Sequence, residues 1–305
     1  MVKDLCVHLD GGDGDKDRLE AARQIAVMFD AHLSGVFVNR LPDMPAAEIY
    51  SYSASALDDM QRQAREKGDR IAATLEGLLA GLDVRNELRR FDVLSSRRQQ
   101  TFLAEARLYD LFVSTLPQED DHETMALVES VLFGAGHSVL LVPPKCISAL
   151  DFSTIVLGWR NTREAARAVD EALPFLKRAD RVSVCMIGDD ELGRIERVTQ
   201  GNDIARHLDR YGVSVELNPL PEGKGVGATL LDEADLLNAG LIVMGGYGHT
   251  RLREWVLGGA TREILKKSEI PVLMGHRRSP LTGRIRTSTN GTGRGGCRGR
   301  AKFAA

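Results

Sequence analysis

Aromatic residues are scarce in this sequence: Phe, Trp and Tyr together make up 5% of its 305 residues. A surface that stacks nucleobases needs such side chains, so nucleic-acid binding of that kind is disfavoured. Long hydrophobic runs are absent too, because no apolar stretch approaches the roughly 18 residues that span a bilayer. The first residues, MVKDLCVHLDGG, have the pattern of a strand and a turn and not of a secretory signal. We therefore expect a protein without a membrane-spanning segment.

Cysteine is also rare, with four residues that lie far apart: Cys6, Cys146, Cys185 and Cys297. The sequence has no CxxC pair and no spacing typical of metal ligands, and its seven histidines are scattered. This usage indicates a reducing compartment, so we expect a cytoplasmic protein with no metal site. Cys6 and Cys185 lie within apolar runs and are expected in the core.

Positive charge is concentrated at one end of the chain. Residues 277–305 contain seven Arg, one Lys and no acidic residue, so they carry +8. Because the whole chain carries −3, the remaining residues carry −11. A body this acidic is a poor general nucleic-acid binder. The basic segment is rich in Gly, Arg, Ser and Thr, and we expect it to be disordered.

Apolar runs and amphipathic stretches alternate along the chain, and the order repeats. The first half has predicted strands at 4–9, 33–38, 84–91, 111–114 and 139–142, with helices at 18–31, 58–79 and 96–106. The second half has strands at 154–159, 182–187, 213–217, 241–244 and 270–274, with helices at 163–176, 191–210, 228–238 and 260–267. The tetrapeptide EAAR, at residues 20–23 and 164–167, falls on the first helix of each half.

Strands that alternate with helices predict parallel, doubly wound sheets. We therefore expect an α/β fold with two tandem doubly wound domains, each with a five-stranded parallel sheet flanked by helices. The predicted domains are 1–144 and 152–276, followed by the basic tail at 277–305.

The most informative stretch runs from residue 241 to 274 and joins a buried strand to glycine-rich segments. Gly245 and Gly248 follow the strand, and Gly258 and Gly259 precede the helix. Glycines let backbone N–H groups approach an anion closely, and a helix N-terminus favours negative charge. The alternative is a tight connection that needs glycine for packing alone. Neither a Walker A loop nor a GxGxxG pattern is present.

This stretch resembles the nucleotide-binding motif of the universal stress protein family, G-x2-G-x9-G followed by Ser or Thr. The flanks of the motif are similar as well, with Met-Gly before it and Pro-Val-Leu after it. The resemblance extends over residues 1–144 and 152–276, and it implies a tandem member with the adenine nucleotide alpha hydrolase-like fold.

The resemblance also implies a site for ATP, ADP or AMP in the second half, with Mg²⁺ left open. Backbone groups around the glycines would hold the phosphates, and the end of the second strand would meet the adenine. The implied binding residues are Ile187, Met244, Gly245, Gly248, Gly258, Gly259, Ala260 and Thr261. The family's Ser or Thr is Gly259 here, so a hydroxyl donor is missing, and Thr261 is the nearest candidate to replace it.

A second departure concerns the Asp that ends the first strand in the family and contacts the nucleoside. In the second half this position is Arg160, which cannot accept a hydrogen bond from ribose. Its guanidinium is suited to pair with an anion, and the alternative is a surface charge exposed to solvent. The first half keeps an aspartate at this position, Asp10, which is either a ligand contact or a turn cap. Its fourth strand is followed by TLPQ instead of glycines, so the glycine motif is degenerate in this half.

Three functions follow from these patterns. The leading one is a stress-response protein that binds an adenine nucleotide in its second half, with at most slow hydrolysis. The second is a protein-interaction module with a decayed site, and the third is an ordinary enzyme, for which no catalytic groups stand out. As in the family, we expect the final strands of the two halves to pair within the chain, with a homodimer as a further possibility.

Overall fold

The structure is a computed structural model that describes residues 1–43, 52–118, 121–144, 149–189, 191–246 and 259–276, with backbone alone at 191–194. The predicted tail at 277–305 lies outside the described residues. Strands of the first half are β1 (Asp4–Leu9), β2 (His32–Leu41), β3 (Asn86–Leu94), β4 (Leu111–Thr115) and β5 (Val139–Val142). Its helices are α1 (Asp15–Phe29), α2 (Ala54–Ala80), α3 (Arg98–Ala106) and α4 (His122–Gly134), and a short 3₁₀ turn, Ser95–Arg97, precedes α3.

The second half repeats this order of elements. Its strands are β6 (Thr154–Gly158), β7 (Arg181–Ile187), β8 (Glu216–Leu220), β9 (Leu241–Gly245) and β10 (Val272–Gly275). Its helices are α5 (Arg163–Leu176), α6 (Glu191–Asp209), α7 (Val226–Leu236) and α8 (Gly259–Lys267). The fold is thus α/β with strands and helices in alternation.

All ten of these strands form one sheet, in the order β3-β2-β1-β4-β5-β10-β9-β6-β7-β8. Pairing is parallel within each half, and β5 and β10 pair antiparallel where the halves meet. In that central pair Leu273 lies opposite Leu140, and both are fully buried. The two final strands therefore join the two halves within a single chain.

Two apolar layers hold the helices onto the sheet. Helices α1, α2, α5 and α6 contribute to the core on one face, and α3, α4, α7 and α8 to the core on the other. The central strands are buried on both faces, which explains their uninterrupted runs of Val, Leu and Ile.

The sequence-based prediction of secondary structure missed one helix and displaced the bounds of several other elements in these ranges. Helix α4 was not predicted; its N-cap is Asp121, whose side chain accepts a hydrogen bond from Thr124 N at 2.9 Å. Strand β3 lies at Asn86–Leu94 and not at 84–91. Strand β8 lies at Glu216–Leu220 and not at 213–217, and it contains Pro219. An edge strand tolerates proline because one side of its backbone needs no sheet partner.

Candidate functional site

The carboxyl ends of β6, β7 and β9 open onto one cavity of about 870 Å³ in the second half. Parallel doubly wound sheets usually bind ligands at this edge, where neighbouring strands lead to helices on opposite faces. Six of the predicted site residues line this cavity: Ile187, Met244, Gly245, Gly259, Ala260 and Thr261. Residues from the β7 end, the β9 end and the start of α8 are therefore brought together.

Two of the predicted residues, Gly248 and Gly258, lie outside the described residues. The described part of the motif thus consists of its first glycine and the first residues of α8.

Gly245 has a packing role of its own. A Cβ on this residue would lie 2.6 Å from the backbone nitrogen of Ala165, in the first turn of α5. Such a distance is far below a normal contact, so only glycine lets α5 approach β9 this closely. Packing therefore accounts for Gly245 whether or not a ligand binds.

Gly259 differs from Gly245 because no atom of the described residues lies within 4 Å of the position that a Cβ would occupy. It opens α8, and the first N–H groups of a helix have no carbonyl partner within the helix. Packing against the described residues therefore does not account for this glycine, and these residues leave room for a serine.

Arg160 follows β6 and lines the same cavity with an exposed side chain. Its backbone carbonyl accepts a hydrogen bond from Thr162 N at 2.6 Å. Within the described residues its guanidinium forms no hydrogen bond or ion pair. An unpaired arginine at the mouth of a cavity is suited to an anionic group.

Acidic side chains line much of the cavity, a feature that the sequence analysis did not predict. Five carboxylates face two guanidinium groups in the described lining; these are Glu164, Asp189, Glu196, Glu222 and Glu263, with Arg160 and Arg197. Acidic residues at helix starts are ordinary in sequence, so only the fold shows that they meet at one site.

Several of these charges have partners. Glu263 bonds Lys267 at 2.8 Å and accepts from Ala228 N at 3.0 Å, and the bond to Lys267 is the main cause of its lowered pKa. Asp189 accepts a hydrogen bond from Glu222 N at 2.6 Å. Arg197 donates to the carbonyl of Gly188 at 2.9 Å.

Two further lining residues were not predicted as part of the site. Trp159 follows β6, and its indole Nε1 is buried without a hydrogen-bond partner in the described residues. Cys185 lies near the end of β7, where burial raises the pKa of its thiol to about 12. This thiol is therefore protonated at neutral pH and is a poor nucleophile.

The corresponding edge of the first half is occupied by its own side chains. Arg18 of α1 donates to Asp10 at 2.8 Å and to Thr115 Oγ1 at 2.9 Å, and it also pairs with Asp15. The side chains of Arg18 and Asp15 are 5% and 2% exposed. This network spans the carboxyl ends of β1 and β4. The cavity of the second half lies at the equivalent ends of β6 and β9.

Asp10 in this network is a turn cap, because its Oδ1 also accepts from Gly12 N at 2.8 Å. Burial acts to raise the pKa of Asp10, but the Arg18 charge and these hydrogen bonds hold it below the ordinary value. Asp15 differs: burial outweighs the Arg18 charge and raises its pKa.

His8 lies behind this network and is fully buried. Its Nε2 is 3.3 Å from Arg98 Nη2 and its Nδ1 is 3.3 Å from Ser114 Oγ. Because a guanidinium only donates, Nε2 must accept, so the ring is neutral. Burial, helped by the charge on Arg18, lowers the pKa of His8, in agreement with this arrangement.

No group of three or more His, Cys, Asp or Glu side chains in the described ranges is placed to hold a metal ion. Among the helices described, none is long and apolar enough to cross a membrane.

The second half of the chain matches a known protein family in sequence. The sequence model of the universal stress protein family matches residues 151–276. No curated protein matches the sequence of the chain.

Solved structures with the same fold extend over both halves. A universal stress protein from Archaeoglobus fulgidus DSM 4304 is 14% identical, with a TM-score of 0.65 over 90% of this chain and 96% of its own. A protein of Pseudomonas aeruginosa UCBPP-PA14, described as a universal stress protein, is 17% identical, with a TM-score of 0.58 over 90% and 94%. A protein of unknown function from Pseudomonas aeruginosa PAO1 is 15% identical, with a TM-score of 0.55 over 90% and 93%.

At these identities the likeness to solved structures concerns the fold. The molecule is thus a doubly wound α/β protein with two similar halves. Residues 151–276 match the universal stress protein family in sequence, and the chain as a whole has the fold of these solved structures.

Proposed function

We propose that the second half binds an adenine nucleotide in the cavity at the ends of β6, β7 and β9. The observation that carries this proposal is the convergence of six of the predicted site residues on one cavity. Its volume, about 870 Å³, lies in the range of sites for small molecules and cofactors. Ile187 and Met244 supply an apolar side, and the start of α8 supplies free N–H groups for a phosphate.

The role we propose is that of a stress-response sensor or regulator whose conformation responds to the bound nucleotide. ATP, ADP and AMP are the candidate ligands, and any hydrolysis is slow. The first half serves as a degenerate partner domain, since the Arg18 network fills the edge where its own site would be. We also propose a cytoplasmic location, consistent with free, buried Cys6 and Cys185, and a homodimer as an assembly to be tested.

A protein-interaction module with a decayed site is the second candidate. It is favoured by Arg160, which replaces the nucleoside-binding Asp of the family, and by the acidic lining of the cavity. In this case the fold is retained but the cavity does not bind a nucleotide.

Calorimetric titration with ATP, ADP and AMP separates the two functions. We expect binding to the wild type and loss of binding in Gly259→Trp, because the new side chain would project from the open position at the start of α8. Gly77→Trp is a matched control, since Gly77 lies in α2 and also has open space around its Cβ position.

Two results would count against the nucleotide function. One is the absence of binding by the wild type and by Arg160→Asp alike at millimolar concentrations of all three nucleotides. The other is equal binding by Gly259→Trp and Gly77→Trp, which would place the site elsewhere. Binding by Arg160→Asp alone would show an intact cavity that Arg160 blocks.

A further inference from the structure

We infer that strand β3, at one end of the ten-stranded sheet, is the surface that binds a second copy of this chain, by antiparallel pairing of the two β3 strands. The inference rests on the homodimer proposed above and specifies its interface, and it is independent of nucleotide binding. The final strands cannot serve this purpose, because β5 and β10 already pair with each other inside the sheet.

The outer edge of β3 offers a continuous row of backbone groups. β3 has nine residues and pairs with β2 alone. Leu33 N donates to the Arg85 carbonyl at 2.9 Å, which fixes the alternation of N–H and C=O groups along β3. The residues whose backbone groups point away from β2 are therefore Asn86, Leu88, Arg90, Asp92 and Leu94. These outward groups have no hydrogen-bond partner in the described residues.

The opposite end of the sheet is less suited to accept a strand. β8 has five residues, and one of them is Pro219, which has no N–H group. Natural edge strands are commonly short or interrupted by proline, because an open edge can pair with another chain. β3 has neither feature, so it is the end of the sheet that can be extended.

The charges of β3 select one register for this pairing. Because outward residues must lie opposite outward residues, the two-fold axis passes through a residue and not between two. An axis through Arg89, Arg90 or Asp92 would place that charge against its own copy, which is unfavourable. An axis through Phe91 instead sets Arg90 opposite Asp92 of the partner subunit, twice in the interface. It pairs the seven residues 88–94 of each strand, whereas an axis through Leu88 pairs only 86–90.

The surroundings of β3 fit the register centred on Phe91. Arg90 bonds Asp69 of α2 at 2.6 Å and Asp92 at 3.1 Å, so the opposite charges lie on the α2 face of the strand. On the same face, exposed Leu94 lies opposite Leu88 of the partner subunit. Helix α2 packs over both β2 and β3. Because strands are about 4.8 Å apart, the axes of the two α2 helices would be about 10 Å apart, as in ordinary helix packing.

Light scattering of the full chain at concentrations up to millimolar is the first measurement, and we expect a dimer. Arg90→Glu should raise the dissociation constant of this dimer by about tenfold or more, because like charges then lie opposite each other at two places. Arg181→Glu is the matched control. It breaks a similar exposed ion pair, with Glu216 at 2.6 Å, near the other end of the sheet, and it should leave the dissociation constant unchanged.

Cysteine cross-linking tests the register itself. With the axis at Phe91, the two Cα atoms of this residue form a non-hydrogen-bonded pair about 4.5 Å apart, within the range that a disulfide spans. Phe91→Cys should therefore form a covalent dimer on mild oxidation. Val93→Cys is the matched control on the same face, because its two copies would be about 13 Å apart along the strands. Oxidised wild type accounts for the native cysteines.

Rapid cross-linking of Phe91→Cys alone, together with the weaker dimer of Arg90→Glu, supports the inference. It is overturned if Arg90→Glu dimerises as tightly as Arg181→Glu, or if Phe91→Cys cross-links no faster than Val93→Cys. A wild type that stays monomeric up to millimolar concentration would overturn the proposed homodimer together with this interface. If Arg90→Glu does not fold, the two cysteine variants decide, since they leave Arg90 in place.

Discussion

Gly245 and Ala165 bring strand β9 and helix α5 into direct backbone contact: a Cβ on Gly245 would lie 2.6 Å from the Ala165 nitrogen. Gly275, on the neighbouring strand β10, has the same relationship with Ala168, at 2.6 Å from its Cα. Helix α5 therefore lies over two glycines of adjacent strands. The first glycine of the G-x2-G-x9-G pattern is thus also part of the packing of the second half.

The first prediction separates the two glycines of the motif by their effect on folding. Gly245→Ala should lower the free energy of unfolding by about 1–3 kcal/mol, because the new methyl group forces α5 away from the sheet. Gly259→Ala should be neutral or stabilising by up to about 1 kcal/mol, because no described residue lies within 4 Å of its Cβ position in the helix. Urea unfolding of both variants and the wild type measures the difference. Equal stability of the two variants would contradict the close contact of α5 with β9.

The second prediction restores the hydroxyl that the family carries at this position. Gly259→Ser should strengthen binding of a phosphate-bearing nucleotide by about tenfold, the effect of one added hydrogen bond to a charged group. Adenosine, which has no phosphate, should bind as it does to the wild type. Gly259→Ala is the control for the change in backbone freedom.

Calorimetry with AMP and adenosine on these three proteins provides the measurement. A gain for adenosine as large as that for AMP would mean that the hydroxyl does not act on phosphate, and a gain in Gly259→Ala would assign the effect to the backbone.

Buried strands were predictable because their apolar runs are uninterrupted. The run 139–142 is such a case: it has no polar residue, and the structure places all four of its residues in the core. Helix α4 was missed because other apolar residues, among them Ala126 and Phe133, lie outside its buried stripe and obscure the periodicity. Leu127, Val128, Val131 and Leu132 are all buried, since α4 packs on the sheet and beside α3.

The repeated EAAR tetrapeptide shows the limit of short matches. Glu164 is the second residue of α5, whereas Glu20 is the sixth residue of α1. Arg23 pairs with Glu20, while Arg167 bonds the Gly136 carbonyl. The two copies are thus on corresponding helices but not at corresponding positions, and the order of elements is the sounder sign of duplication.

For the site, the sequence indicated the strand ends and the glycines but not the acidic lining. The carboxylates come from different elements, for example Glu164 from α5 and Glu263 from α8. Residues so far apart in sequence meet only through the fold, and no local pattern marks them. The same holds for Arg18 of α1, whose side chain occupies the corresponding edge of the sheet in the first half. No feature of the surrounding sequence distinguishes this arginine from one on an ordinary helix.

The third prediction concerns this arginine. Arg18→Met should lower the free energy of unfolding by about 3–5 kcal/mol, because it leaves the buried Asp15 carboxylate without its cation. Arg23→Met on the same helix is the matched control and should cost about 1 kcal/mol or less, as its partners Glu20 and Asp83 are more exposed. Chemical denaturation of both variants tests the contrast, and a similar loss in both would contradict a buried ion network at this edge.

The fourth prediction is a pH dependence that arises from Glu171 of α5. Burial raises the pKa of this carboxyl above its ordinary value of 4.5, against the opposing effects of Ser138 and Arg167. The folded state therefore holds the Glu171 proton more tightly than the unfolded state does. Stability from this group is fully present below pH 4.5 and is lost as the pH rises through the folded pKa.

Glu171→Gln removes this titration, so its stability relative to the wild type should improve between pH 5 and pH 7.5. The variant also loses the ion pair with Arg167, whose effect is already part of the net upward pKa shift, so the pH trend is the readout. Glu20→Gln is the control with the opposite sign, because hydrogen bonds from Arg23 lower the pKa of Glu20. Its relative stability should decline or stay level over the same range. Urea unfolding at the two pH values measures both trends. If the stability of Glu171→Gln relative to the wild type falls as the pH rises, the ion pair with Arg167 outweighs the burial of the carboxylate.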